Sequence, residues 1–101
     1  GYLESVYEEA LGIELTERHI SYRRQHPISV TYKGKSVGEG KLDMLVADKL
    51  VVELKAVEAL LPVHKAQVIS YLKATKLHLG LLINFNVTVL RDGIQRIIYS
   101  T

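Results

Sequence analysis

Cysteine and tryptophan are absent from the 101 residues, and proline is limited to Pro27 and Pro62. Without cysteine there is no disulfide framework, no thiolate zinc site and no cysteine nucleophile. A reducing, cytoplasmic setting is the natural expectation. No apolar run reaches the ~20 residues needed to span a bilayer and no signal peptide is visible, so no membrane partner is expected. Internal repeats, low-complexity tracts and Gly/Ser linkers are also missing, which leaves a single domain over residues 1–101. Neither sign of charge dominates. The net charge of +2 and a pI near 8.9 suit a polyanionic partner without singling one out. What is present is ordinary for a globular domain, 48% hydrophobic and 24% charged. A core this small buries few polar groups without a purpose, so polar residues inside apolar segments carry the information.

The hydrophobic periods set out the elements. Residues 3–19 read as a helix in which Leu3, Val6, Tyr7, Ala10 and Leu11 make the apolar stripe, while Glu8, Glu9, Glu14, Glu17 and Arg18 mostly face water. His26–Tyr32 alternates as a half-buried strand, and Lys33-Gly34 is a turn signal. Ser36–Ala47 is a second strand, with Gly38 and Gly40 weakening or bulging its first half. Asp48-Lys49 turns into a third strand, Leu50–Ala56. Pro62 suits the first turn of a helix that runs to about Thr75. His78–Ile83 is an apolar run expected of a strand covered on both faces, and Ile94–Tyr99 closes the chain as a last strand. The order α-β-β-β-α-β-β predicts an α+β, mixed α/β sandwich: an antiparallel meander, a crossover helix, and a strand returning beside the meander.

Several residues do not suit a plain core. In the third strand Val52, Leu54 and Ala56 share one side, and Glu53 and Lys55 share the other. Taken alone, Glu-x-Lys is most often a solvent-facing ion pair, but this strand is expected mid-sheet. Asp43 lies on the neighbouring strand among apolar residues, although aspartate is a poor strand former. Its plain reading is a bulge or an exposed edge. Its functional reading is that Asp43 and Glu53 converge on a hard divalent cation, because paired carboxylates repel unless one sits between them. A lysine beside such a site can orient or deprotonate a water and stabilise phosphorane charge. The loop sets a condition. A two-residue turn at Asp48-Lys49 would put Asp43 on the opposite face from Glu53, so an odd-length turn or a bulge is required. On the second helix His64, Gln67 and Tyr71 fall on one face and suggest a polar wall. Glu4 reads most simply as an acid that complements the helix dipole. Arg23-Arg24 reads as a solvated loop, and His19, His26 and His78 as structural or exposed.

Asp43, then Glu53-x-Lys55 on the next strand, then Gln67-x-x-x-Tyr71 on a helix, resembles the PD-(D/E)XK nuclease superfamily. Gly1-x-x-Glu4-x-x-Tyr7 resembles the signature of the GxxExxY protein family. The stretches Val51 to Leu60, Pro62-Val63-His64, Gln67 to Thr75 and Gly80 to Phe85 are also similar to that family. The resemblance implies a restriction-endonuclease-like α-β-β-β-α-β core with an extra C-terminal strand, and a Mg2+- or Mn2+-dependent phosphodiesterase site acting on nucleic acid, DNA before RNA. Carried over, Asp43, Glu53 and the main-chain carbonyl of Leu54 would hold the metal. Lys55 would position water or act in the transition state. Glu4 would support the metal or its water, and Gln67 and Tyr71 would orient substrate or waters. Members of that family usually carry a helical segment ahead of the Gly-x-x-Glu motif, so a domain lacking that segment is the expectation here.

Two other classes compete with a nuclease. One is a non-catalytic nucleic-acid- or partner-binding module on the same fold; against it, Asp43, Glu53, Lys55 and Gln67 are all present. The other is an assembly domain, with Leu60 and Leu61 beside Pro62 as an apolar homodimer contact. For those leucines, a loop folded back on the core is the expected arrangement.

Overall fold

The computed structural model describes residues 2–100. Gly1, the first residue of the Gly-x-x-Glu-x-x-Tyr motif, lies outside them. The elements are α1 (Tyr2–Glu17), β1 (Tyr22–Tyr32), β2 (Lys35–Val46), β3 (Leu50–Lys55), α2 (Pro62–Thr75), β4 (Leu79–Asn84), a 3-10 turn (Leu90–Gly93) and β5 (Ile94–Ile98). They form a mixed α+β fold around one five-stranded sheet of order β1-β2-β3-β4-β5. All neighbours are antiparallel except β3 and β4, which run parallel and are joined through α2. A parallel pair needs such a crossover, whereas the meander needs only short turns.

The sheet lies between the two helices. Leu42, Leu45, Val51, Leu82 and Ile97 pack with Val68, Tyr71 and Leu72 of α2. Met44, Val46, Val52, Leu54 and Ile83 pack on the other face with Leu11 and Leu15 of α1. Helix α2 begins at Pro62, with the Leu61 N–H donated to His64 Nδ1 at 2.9 Å, and ends at Lys76 in the left-handed region at φ 61°. Leu60 folds against the core and Leu61 stays exposed.

Three expectations need correction. Strand β1 starts at Tyr22 rather than His26, so Arg23 and Arg24 lie on a strand and not in a loop, and Pro27 sits inside it, opposite Lys41. An edge strand tolerates a proline there because one row of its backbone groups faces solvent. The inward face of α1 is also different. Leu3, Val6 and Ala10 are exposed, and Tyr7, Glu8, Leu11, Gly12 and Leu15 turn inward. The apolar stripe is rotated because the helix packs near a polar cleft, where an acid has partners that a leucine would not.

The β1–β2 ribbon also inverts. Leu42 packs on the α2 side of the sheet but Met44 packs on the α1 side. A regular strand would put both on one face. The break falls at Asp43, and opposite it Gln25 adopts a positive φ of 49°. The ladder skips a pair there, between Arg24↔Met44 and His26↔Leu42, with the register unchanged on either side.

Candidate metal and phosphodiester site

The loop after β2 meets the condition set by the sequence. Val46 pairs with Leu50, so Ala47, Asp48 and Lys49 form a three-residue turn, with Ala47 and Asp48 at φ 54° and 55°. The ladder ends at Met44↔Val52, and one further step sets Asp43 opposite Glu53. There the backbone pairing gives way to side chains. The Asp43 N–H donates to Glu53 Oε2 at 2.7 Å, and the Leu54 N–H donates to Asp43 Oδ2 at 2.8 Å. These two bonds tie each carboxylate to the backbone of the other strand and set them side by side. In a strand the N–H and C=O of one residue point the same way. The Leu54 carbonyl is therefore turned toward Asp43, while the Lys55 carbonyl turns to β4 and accepts the Phe85 N–H at 2.8 Å.

Glu53 is 3% exposed. Burial, and then the negative charge of Asp43, push its carboxyl up to about 8, while the Asp43 N–H and Lys55 pull the other way. Lys55 Nζ donates to Gln67 Oε1 at 3.3 Å, and Gln67 Nε2 donates to the Tyr71 hydroxyl at 3.0 Å. One glutamine thus links the strand lysine to the helix tyrosine. The Tyr71 phenol is raised by burial and then by Glu53, so it keeps its proton. His64 is not part of this wall. Its ring caps the start of α2, because its Nδ1 is committed to the Leu61 N–H.

A cleft of about 420 Å³ opens where β2 and β3 part. Asp43, Glu53, Leu54, Lys55, Gln67, Tyr71 and Glu4 all line it, so of the residues singled out in the sequence for this site only His64 falls outside. Helix α1 is set beside it by Tyr7, whose ring stacks on Phe85 at 4.0 Å between centroids. The cleft also holds residues that the sequence reading missed, notably Glu8, Gln25 and Lys41. Glu8, expected to face water, is 6% exposed. Its Oε2 accepts Arg24 Nη2 at 2.9 Å and Nε at 3.1 Å, and its Oε1 accepts Gln25 Nε2 at 2.8 Å. Arg24 also reaches Glu9 at 2.6 Å, and these two acids, Glu8 first, raise its pKa. The only advance signal was the i, i+4 spacing of Glu4 and Glu8, which places both on one helix face.

Among the described residues no three His, Asp or Glu side chains gather closely enough to form an all-protein cation cage. The donor set is smaller: two carboxylates and the Leu54 carbonyl. That set fits magnesium or manganese, since magnesium takes one or two carboxylates and fills its remaining positions with waters and substrate phosphate. The family model described as the PD-(D/E)XK nuclease superfamily matches residues 1–97, a span that contains every residue of the cleft. Comparison with curated proteins finds no match.

Proposed function

The chain belongs to the PD-(D/E)XK nuclease superfamily, and from that premise we propose that it is a divalent-metal-dependent nuclease that hydrolyses phosphodiester bonds in DNA. The GxxExxY proteins are the branch we assign it to, on the Glu4 and Tyr7 spacing. The observation that carries the proposal is the crossed bonding of the two carboxylates, Asp43 N–H to Glu53 and Leu54 N–H to Asp43, which sets them side by side with Glu53 strongly shifted. Such an arrangement is costly unless a cation relieves it.

Asp43, Glu53 and the Leu54 carbonyl hold the ion, Mg2+ or Mn2+. When bound, a divalent cation polarises the phosphate and makes a water more acidic. Lys55 supplies a compact positive charge where charge develops on the phosphate oxygens, and it orients the attacking water. Gln67 is a positioning residue that sets the direction of Lys55. Tyr71 offers its retained hydroxyl proton as a donor, and Glu4 supports a water from α1.

The test is cleavage of labelled DNA and RNA in manganese, compared with EDTA. Wild type is expected to cut DNA only with metal, and Asp43→Asn to abolish cutting. Lys55→Ala should keep metal binding but lose about 3 kcal/mol of barrier lowering, roughly a hundredfold in rate. Lys55→Arg should not restore it, because a planar fork cannot replace a compact ammonium. Metal-independent binding of nucleic acid with no cleavage would instead support a non-catalytic binding module. Cleavage by Lys55→Ala at the wild-type rate would reduce Lys55 to an ion-pair partner of Glu53.

A further inference from the structure

We propose that the outer part of the β1–β2 hairpin, residues 29–41, is a contact for double-stranded DNA that enters the major groove beside the cleft. The choice of polyanion rests on the nuclease reading; the surface itself rests on the following observations.

Strand β2 pairs with β3 only over Met44 to Val46, so Lys35 to Leu42 pair with β1 alone. Leu42, Gly40 and Ile28 still meet the core or Tyr71. Beyond them residues 31–39 are exposed throughout, including Tyr32 at 64% and Val37 at 62%. An isolated two-stranded ribbon is marginally stable in water, and among the described residues no sheet or helix covers residues 31–39. Its turn is well formed: Lys33 and Gly34 at φ 51° and 77° close Tyr32↔Lys35 as a two-residue loop. A bulge opposite Val30 and Thr31 leaves Val37 unpaired and increases the twist.

The ribbon is also basic: residues 29–41 contain Lys33, Lys35 and Lys41 against Glu39, a net +2. Lysines on an edge strand can serve only to prevent aggregation. Here, however, the charge is continuous with the site, because Lys41 lines the cleft. From Lys41 to Lys35 the strand spans about 20 Å, the length of roughly six base pairs. A two-stranded ribbon fits the major groove of B-form DNA, whereas the deep, narrow major groove of A-form RNA excludes it.

The experiment measures binding of the full chain in EDTA, so that no strand is cut, to a 20-mer (about two turns) of duplex DNA, duplex RNA or single-stranded DNA across a salt series. The Lys33→Ala/Lys35→Ala variant should melt like wild type, since both lysines are exposed. It should bind duplex DNA about tenfold or more weaker at low salt, with the slope of log affinity against log salt reduced by about two. Lys49→Ala, at the other end of the meander, should bind like wild type. Equal losses on all three nucleic acids, an unchanged slope, or a changed monomer–dimer equilibrium with DNA affinity intact would each overturn the proposal; the last would make the ribbon a surface for a second copy. Failure of the nuclease reading is seen separately: ribbon-dependent duplex binding without cleavage in manganese removes that reading and leaves the contact standing.

Discussion

Glu53 is the residue on which the protonation of the site turns. Burial and the neighbouring Asp43 lift its carboxyl from 4.5 to about 8. Between those values the folded protein keeps a proton that the unfolded chain releases. The associated stability is complete below pH 4.5 and is lost as pH rises through 8. The ion-free protein should therefore weaken from pH 5 to 8, by a few kcal/mol at most. Urea denaturation across that range measures this, and Glu53→Gln should flatten the profile. A cation takes the ionised form, so its affinity should rise over the same range and its binding should release a proton. A wild-type profile as flat as that of the glutamine variant would show that Glu53 does not titrate there. Asp43, Glu53 and Lys55 were legible in the sequence because charged residues in an apolar strand need a reason. Glu8 was not. Its burial depends on Arg24, sixteen residues away, and no local pattern announces such a pairing.

At the scale of elements, the end of β4 holds the segment that leaves the site. Asn84, 3% exposed, donates from Nδ2 to the Val57 carbonyl at 2.9 Å and accepts the Val57 N–H on Oδ1 at 3.0 Å. It ties down the chain just after Lys55. Asn84→Ala would leave both Val57 backbone groups without these partners. The expected loss is about 1–3 kcal/mol in denaturant unfolding, with faster amide exchange at Val57. No change in either would mean that the loop is held by other contacts. Gly93 belongs to the same arrangement, since a Cβ there would run into the Asn84 carbonyl. The order of the elements was readable from period and turn chemistry, and the need for an odd-length turn followed from strand geometry. The inversion was only half readable: an aspartate within a strand hints at an irregularity, but nothing marks Gln25 for a positive φ. The rotation of α1 was hidden because counting apolar residues finds the greasier side of a helix, and this helix keeps Tyr7 and Leu11 of that side but turns Glu8, Gly12 and Leu15 inward with them.

On the scale of the whole molecule, the site exists only when α1, β2, β3 and α2 are assembled around one cleft. An ion bound there therefore stabilises the folded state alone. At about a hundred times its Kd, Mg2+ or Mn2+ should add roughly 2.7 kcal/mol, or about 10–20 °C in melting temperature for a domain of this size. Asp43→Asn should show no such rise, and an equal rise in that variant would place the ion elsewhere. The parts of the site differ, however, in how far apart they lie along the chain. Both carboxylates and the lysine fall within residues 43–55, on one hairpin of the meander, whereas the glutamine that aims the lysine and the strand that flanks Glu53 come later, across the α2 crossover. During synthesis Asp43, Glu53 and Lys55 are therefore made before Gln67 and before the strand that flanks Glu53. The cleft around them closes only after α2 has been made and has folded back onto the sheet.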